Sequence, residues 1–225
     1  MSDVRANLER VRERIAAAAV RAGRSPADVT LVAVTKTVDV DRMREALDAG
    51  ATDFGESYVQ EVRDKLAQFP PSLRWHFIGH LQSNKARYVA GRFVLIHSVD
   101  SVPLAREIGK RALALGQPQP ILLEVKLDPA DTKFGIHLDA CLDVAAEVTR
   151  VEGIDLRGFM GMAPYGTEPE LARPYFQALR ARFEQLPPTH RKALSMGMTG
   201  DFEVAIEEGA THVRIGTAIF GPRVV

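Results

Sequence analysis

The sequence predicts an α/β protein, a single TIM-type (β/α)8 barrel preceded by one extra N-terminal helix. Short apolar runs rich in β-branched residues alternate with amphipathic segments along the whole chain, and strict alternation of this kind produces a parallel sheet. About eight such units fit within the 225 residues, which favours a closed barrel over the alternative, an open flavodoxin-like sheet with fewer strands. No linker or low-complexity segment interrupts the pattern, so we expect residues 1–225 to form one domain.

The first predicted element is the extra helix, Val4–Ala22, in which Leu8, Val11 and Ile15 recur at helical spacing. It ends at Gly23, a residue that commonly terminates helices. We expect this helix to pack on the outside of the barrel or to close its base.

The first predicted strand begins at Thr30 and leads to Lys36, which shares one face with Val32 and Val34 because side chains alternate along a strand. Asp39 follows as a candidate N-cap of the next helix. A lysine at the carboxyl end of a buried parallel strand lies where barrels place their chemistry. Desolvation there lowers the pKa of an amine, as a Schiff-base lysine requires. The alternative is a lysine that extends from the strand end into solvent.

The other units repeat this pattern, with glycine and proline between many of them. The remaining predicted strands are Thr52–Phe54, Arg74–Ile78, Val94–His97, Pro120–Leu127, Ile154–Gly161, Ala193–Met196 and His212–Ile215. The remaining predicted helices are Val40–Ala49, Val59–Gln68, Asn84–Ala90, Val102–Leu115, Leu138–Arg150, Pro169–Leu186 and Asp201–Glu208.

Composition excludes several functional classes. Lysine plus arginine and aspartate plus glutamate both number 29, so the chain has no excess positive charge for nucleic acid or an anionic membrane. The single cysteine, Cys141, excludes an intramolecular disulfide and a cysteine-based zinc cluster. His76 and His80 fall on a strand and its loop rather than on one helical face, and the remaining histidines are scattered, so no metal site is expected. Without a signal peptide or a transmembrane segment, we expect a cytoplasmic protein.

Two glycine-rich turns follow the seventh and eighth predicted strands, at Ser195-Met196-Gly197-Met198-Thr199 and at Gly216-Thr217. In a barrel all strands end at one mouth. Backbone N–H groups at the start of the following helices, together with the hydroxyls of Ser195, Thr199 and Thr217, would form an anion site, and barrels frequently hold phosphate here. Ordinary turn chemistry is the alternative interpretation. Ser57 and His80, which follow other strands, should face the same mouth.

Arg214 lies within the last predicted strand and shares a face with Gly216. If Ile215 points outward to the helices, Arg214 points into the barrel mouth, where a buried arginine needs a partner. A phosphorylated aromatic aldehyde would offer phosphate to the two turns, a carbonyl to Lys36 and a ring nitrogen to Arg214. Pyridoxal 5'-phosphate (PLP) has these three groups. Glu124 and Lys126 also share a face and are expected to form a structural ion pair.

Several runs of sequence identify a family. They are Phe54-Gly55-Glu56-Ser57-Tyr58, Trp75-His76-Phe77-Ile78-Gly79-His80-Leu81-Gln82-Ser83-Asn84-Lys85, His97-Ser98-Val99-Asp100-Ser101, Lys133-Phe134-Gly135, Ser195-Met196-Gly197-Met198 and Arg214-Ile215-Gly216-Thr217-Ala218-Ile219-Phe220-Gly221. Together they resemble the pyridoxal phosphate homeostasis protein family over essentially the whole chain. The resemblance implies a PLP-binding barrel similar to the N-terminal domain of alanine racemase, with PLP on Lys36. It also implies a role in vitamin B6 and amino-acid homeostasis.

The chain departs from the family at two positions. Ser57 stands where the family usually has Asn, and Thr199 stands where Ser is common. The side-chain contact from position 57 to the cofactor would therefore be shorter or bridged by water, whereas either hydroxyl at position 199 can donate to phosphate. The expected PLP-binding residues are Lys36, Ser57, His80, Ser195, Gly197, Met198, Thr199, Arg214, Gly216 and Thr217.

Three functions are compatible with these residues. The favoured one is a PLP carrier or regulator without efficient catalysis, a monomer or weak dimer whose recipients are apo forms of PLP-dependent enzymes. The second is a PLP-dependent amino-acid racemase. The sequence ends soon after the eighth unit, so the second domain that supplies the opposing base in alanine racemase is expected to be absent. The third is a Schiff-base aldolase acting on a phosphorylated sugar without a cofactor.

Overall fold

The computed structural model describes residues 3–128, 134–164 and 166–222. Within this part of the chain, eight parallel strands close into a barrel and a ninth, two-residue strand is added to β5. The strands are β1 (Thr30–Val34), β2 (Asp53–Glu56), β3 (Arg74–Phe77), β4 (Leu95–Val99), β5 (Gln119–Lys126), β6 (Ile136–His137), β7 (Ile154–Met162), β8 (Ala193–Ser195) and β9 (His212–Ile215).

The barrel closes where β1 pairs with both β2 and β9 and where β4 pairs with β5. Strand β5 then pairs with β7, so the short β6 lies outside the ring. These pairings confirm the predicted (β/α)8 barrel. The seventh and eighth predicted strands correspond to β8 and β9.

Helices surround the barrel. They are α1 (Val4–Arg21), α2 (Val40–Asp48), α3 (Val59–Leu66), α4 (Val102–Ala114), α5 (Cys141–Val148), α6 (Pro169–Phe183), α7 (Phe202–Glu207) and α8 (Thr217–Phe220). The predicted N-cap of α2 is confirmed, because the Asp39 carboxylate accepts a hydrogen bond of 2.9 Å from the Arg42 N–H. Helix α1 packs against α2, α7 and α8, which settles its position on the outside of the barrel.

Three local predictions were wrong. The segment predicted as helix Asn84–Ala90 is a 3-10 helix, Ser83–Tyr88, closed by bonds such as Lys85 N–H to the Gln82 carbonyl. Helix α5 begins at Cys141 rather than Leu138, because the chain first pairs β6 with β5 and then turns through a bond from Ala140 N–H to the His137 carbonyl. Helix α8 was not predicted, since its four residues are too few to show a period.

The two faces of the barrel have different chemistry. Strand residues that point outward, such as Phe54, Phe77 and Ile215, join a large apolar core under the helices. Among the buried residues that point inward, only a small apolar group of Leu95, Leu122, Met160 and Ala193 forms a separate cluster in the described part of the chain. Much of the rest of the interior is polar and includes His76, His97, Ser195 and Arg214. No helix in the described ranges is both long enough and apolar enough to span a bilayer.

Candidate functional site

Lys36 lies two residues beyond the end of β1, half-buried, on the wall of a cavity of about 250 Å³ at the barrel mouth. Gly216 and Thr217, which follow β9, line the same cavity. This position follows from the pairing of β1 with β9, whose carboxyl ends meet at the mouth. The structure therefore brings together the predicted covalent residue and one of the two predicted phosphate-binding turns.

Side chains of α3 fix the backbone on both sides of Lys36. The Lys65 ammonium donates to the carbonyl of Thr35 at 2.7 Å, and the N–H of Thr37 donates to a carboxylate oxygen of Glu61 at 3.2 Å. Thr37 has φ 61°, which makes it the only non-glycine residue with positive φ in the described ranges. The loop that carries Lys36 is thus held in a conformation that L-amino acids rarely adopt.

These contacts belong to a charged group that we call the Lys65 cluster, formed by Lys65, Glu56 and Glu61 with Thr35. The ammonium also binds Glu56 at 2.9 Å and Glu61 at 2.8 Å, and the Thr35 hydroxyl donates to Glu56 at 2.5 Å. Burial raises the pKa of Glu56, although Lys65 and Thr35 oppose that shift. The second oxygen of Glu56 is buried without a hydrogen-bond partner.

The two predicted phosphate-binding turns are joined by a hydrogen bond of 3.2 Å from the Thr217 hydroxyl to the Thr199 hydroxyl. Gly197 has φ 93°, and a Cβ there would lie 2.6 Å from the Cβ of Ala205, so this turn needs glycine. The Met198 N–H, however, already donates to the Asp201 carboxylate at 2.6 Å. The helices that follow the turns have six and four residues, so hydroxyls and local N–H groups rather than long helix dipoles would bind an anion.

Arg214 is buried inside the barrel below this mouth, and its neighbour Ile215 belongs to the outer core, as expected from strand alternation. One guanidinium nitrogen donates to the Ser195 hydroxyl at 2.5 Å, and another donates to the Gly161 carbonyl at 3.2 Å. Burial lowers the pKa of Arg214 to about 10, opposed by the negative charge of Asp201 and then of Glu124. Arg214 therefore stays cationic near neutral pH. The Ser195 hydroxyl, expected to donate to phosphate, is instead engaged deeper in the barrel.

Glu124 is a functional candidate that the sequence did not identify. Burial, reinforced by the charge of Asp100, raises its pKa to about 7, while the charge of Arg214 opposes the shift. Asp100 and Arg214 are the charges that shift the pKa of Glu124, and the ion pair expected with Lys126 stays a prediction. The signal that could have found it is its position, two residues beyond the inward-facing Leu122 on β5.

Ser57 and His80 lie at the mouth but are not among the residues that line the cavity beside Lys36. A Cβ on Gly79 would lie 2.1 Å from the Ser57 carbonyl oxygen, so the ends of β2 and β3 are in direct backbone contact. The His80 ring stacks on Phe134 at 3.6 Å between centroids and has Asp100 3.7 Å from its Nδ1. Lys133, for which a role at the mouth was also considered, lies outside the described residues.

The prediction that the histidines are scattered was wrong. His76, His97 and His212 meet inside the barrel, with ring centroids 5.2 to 5.9 Å apart. Each points inward from its strand, which the alternation of side chains could have indicated. Within the described ranges, no group of three or more His, Cys, Asp or Glu side chains could hold a metal ion.

Comparison with known proteins gives consistent results. The family model described as "Alanine racemase, N-terminal domain" matches residues 5–224. The chain is 42% identical to the pyridoxal phosphate homeostasis protein of Escherichia coli K12 over 99% of this chain and 98% of that protein. It is 43% identical to the protein of that name from Aquifex aeolicus over 96% of each chain. The structure of PipY from Synechococcus elongatus with PLP bound superposes with a TM-score of 0.81 at 37% identity, over 94% of this chain and 100% of PipY.

Proposed function

This chain belongs to the pyridoxal phosphate homeostasis protein family, and on that premise we propose that it binds PLP at the barrel mouth. Lys36 would hold the cofactor as a Schiff base. The protein would act as a carrier or regulator in vitamin B6 and amino-acid homeostasis rather than as an efficient enzyme, with apo forms of PLP-dependent enzymes as recipients.

The observation that carries this proposal is that Lys36, Gly216 and Thr217 line one cavity. An amine, a hydroxyl and a glycine that admits close backbone approach suit an aldehyde at one end of a ligand and a phosphate at the other. Arg214 lies buried inside the barrel below, and its guanidinium would donate to the ring nitrogen. The residues present therefore fit PLP.

Thr217 and Thr199 are the side chains best placed to hold the phosphate. Their hydroxyls are already within hydrogen-bond distance of each other, so one oxyanion could accept from both. Hydrogen bonds to a charged acceptor contribute roughly 1.5–3 kcal/mol each. We therefore expect pyridoxal, which lacks the phosphate, to bind at least about tenfold more weakly than PLP in equilibrium titrations. Equal affinities for PLP and pyridoxal would mean that the anion site lies elsewhere. Thr217→Val should reduce the difference in affinity between the two ligands.

Arg214 supports a carrier rather than an efficient enzyme. Bound PLP stabilises negative charge at a substrate Cα most strongly when its ring nitrogen is protonated, which requires an acidic partner. Arginine has only donors and keeps its charge, so it leaves that nitrogen unprotonated. A carrier has to bind PLP and release it again, and an arginine as the partner of the ring nitrogen is compatible with both.

Covalent capture tests the proposal. Purified protein is mixed with PLP, reduced with borohydride and digested, and the pyridoxyl-labelled peptide is identified by mass spectrometry. We expect the label on Lys36. Lys36→Ala should lose the visible absorbance of bound PLP yet keep weaker binding through the phosphate, whereas Lys85→Ala, a lysine on the 3-10 helix Ser83–Tyr88, should behave as wild type. A label on Lys85 or Lys126, or no visible absorbance, would contradict the proposal; the latter would favour the aldolase alternative.

A PLP-dependent amino-acid racemase is the second candidate, and Glu124 is the observation that favours it. A buried carboxyl with a pKa of about 7 at the mouth could exchange a proton near neutral pH. A chiral assay over a panel of amino acids at high protein concentration decides between the two. Turnover of about 1 s⁻¹ or more, abolished by both Lys36→Ala and Glu124→Gln, would establish the enzyme.

A further inference from the structure

A continuous series of hydrogen bonds crosses the barrel interior from Arg214 to Asp53. Arg214 donates to the Ser195 hydroxyl at 2.5 Å, Ser195 contacts His97 Nδ1 at 2.9 Å, and His97 Nε2 contacts His76 Nδ1 at 2.9 Å. His76 Nε2 then meets the Asp53 carboxylate at 2.8 Å. Asp53 opens β2 at the base of the barrel, whereas Arg214 faces the mouth, so the series connects the two ends.

We infer that in these five residues every hydrogen bond points the same way, with its donor on the side of Arg214, and we call this series the histidine relay. In the relay Asp53 acts as a positioning residue for Arg214. The inference rests on the proposed function, because it concerns the partner of the cofactor's ring nitrogen. Asp53 would act through His76, His97 and Ser195, without touching the ligand.

The Asp53 end fixes one direction. Asp53 also accepts a hydrogen bond from the Thr52 hydroxyl and forms an ion pair with Arg74. Although burial alone would raise the pKa of Asp53, the hydrogen bonds from His76 and Thr52 keep that pKa below its ordinary value. An ionised carboxylate only accepts, so His76 must donate from Nε2. A neutral imidazole then accepts at Nδ1, which requires His97 to donate from its own Nε2.

The Arg214 end fixes the same direction independently. Arginine cannot accept, so the Ser195 oxygen accepts from Arg214 and its single proton is left to donate to His97 Nδ1. Each link thus has one donor and one acceptor, with every donor on the side toward Arg214. Because both ends require the same tautomers, His76 and His97 each have a single tautomer that satisfies all of these hydrogen bonds.

Burial keeps the relay neutral between its charged ends. Burial is the largest cause that lowers the pKa of both histidines, His76 and His97, and the charges of His212 and Arg214 lower the pKa of His97 further. Both rings and the Ser195 hydroxyl are inaccessible to solvent, so water does not compete for these bonds. The Ser195 oxygen and the Gly161 carbonyl together hold two N–H groups of Arg214, which leaves the others for a ligand in the mouth.

Nitrogen-15 NMR of unliganded, histidine-labelled protein tests the direction directly. Two-bond proton–nitrogen correlations separate the two neutral tautomers. We expect Nε2–H with unprotonated Nδ1 for both His76 and His97. The opposite tautomer, or a protonated ring, at either residue near neutral pH would overturn the relay. This measurement needs no variant and no PLP, so it is independent of the proposed function.

Paired variants test the positioning role. Asp53→Asn keeps an oxygen for His76 and should preserve the tautomers and affinity for PLP within about threefold. Asp53→Leu removes the acceptor and should populate the opposite tautomers, speed solvent exchange of the Arg214 guanidinium protons in the unliganded protein, and raise the Kd for PLP about tenfold, the loss of one net hydrogen bond. Asp155→Leu is the matched control, because Asp155 lies at the same end of the barrel and pairs outward with Arg157 and Lys192.

The outcomes separate the two proposals. Altered tautomers in Asp53→Leu with unchanged Arg214 exchange and unchanged affinity would show that Asp53 only supports the fold, and would overturn its positioning role. An equal loss in Asp155→Leu would do the same. If the wild-type protein binds no PLP, the proposed function fails, whereas the tautomers and the Arg214 exchange rates still decide the relay.

Discussion

The Lys65 cluster and the histidine relay are both buried polar networks, and they compensate for the burial of their charges in different ways. The Lys65 cluster lies between β2 and α3 and gathers one ammonium with two carboxylates. The histidine relay lies inside the barrel and separates its two charged ends by two neutral rings and a hydroxyl. The first network contacts the backbone on both sides of Lys36, and the second contacts Arg214.

The difference shows what each target needs. The Lys36 loop contains a residue with positive φ, a strained conformation that persists only when other contacts stabilise it. Charge-assisted hydrogen bonds are the strongest hydrogen bonds available for this purpose. Arg214 needs only a defined orientation, which directional neutral bonds give without adding charge beside it. We therefore expect loss of a charge to act most strongly at the Lys65 cluster, and acid to act at the buried histidines of the barrel interior.

The largest effect is expected from Lys65→Met. Removing the ammonium leaves Glu56 and Glu61 without their shared partner and the Thr35 carbonyl without its donor, and breaking a buried pair of this kind costs about 3–5 kcal/mol. Urea unfolding measures the loss in the free energy of unfolding. Lys110→Met, an exposed lysine on α4, should change it by less than about 0.5 kcal/mol. Adding Glu56→Gln to Lys65→Met should recover part of the loss, and a further fall would contradict the charge argument.

Acid should destabilise the barrel interior through His212, which lies outside the relay but whose ring contacts the rings of His76 and His97. Burial lowers the pKa of His212 to about 3, and the unfolded chain therefore takes up a proton below about pH 6.5 that the folded chain does not. Stability from this residue is complete above pH 6.5 and is lost as the pH falls, by up to about 1.4 kcal/mol per pH unit. His212→Gln should remove this contribution to the pH dependence of stability. The difference in the free energy of unfolding between the variant and the wild type should therefore become smaller as the pH falls from 6.5 to 4.5. Parallel curves would show that His212 takes up its proton equally in the folded and the unfolded chain, so that its pKa is not lowered by folding.

The smallest effect is expected at Thr37. Glycine adopts φ 61° without the strain that a β-branched residue incurs, so Thr37→Gly should change the free energy of unfolding by no more than about 1 kcal/mol, in the stabilising direction if strain outweighs the entropy of the unfolded chain. The Glu61 contact uses the backbone N–H and survives the change. Thr52→Gly, at an ordinary φ, serves as the control and should be destabilising. A loss of more than about 1 kcal/mol at Thr37 would mean that the loop is not strained.

Strand alternation predicted the parts of the site that lie on one strand or on neighbouring strands. It placed Lys36 at the mouth, Arg214 inside the barrel with Ile215 outside, and Thr199 near Thr217. These predictions succeeded because they need only the two-residue period and the parallel order of strands.

Contacts between distant segments could not be predicted in this way. A lysine on an amphipathic helix normally faces solvent, so nothing in the sequence indicates that Lys65 reaches back to Thr35. His76, His97 and His212 come from three different strands, and their proximity depends on the stagger of the closed barrel. Met198 was predicted to be a PLP-binding residue, and only the fold of its turn shows that its N–H already donates to the Asp201 carboxylate.

The contact between Gly79 and Ser57 has a consequence for mutational tolerance. A methyl group at position 79 would need the space that the Ser57 carbonyl and Cα already fill, at 2.1 and 2.6 Å from the ideal Cβ. Neither obstacle is a side chain that could rotate away, so even alanine has to displace the end of one strand from its neighbour. Two positions more than twenty residues apart in sequence are therefore constrained by one contact. Because this contact uses only backbone atoms of Ser57, a library randomised at Ser57 can accept many side chains, whereas one randomised at Gly79 should return glycine.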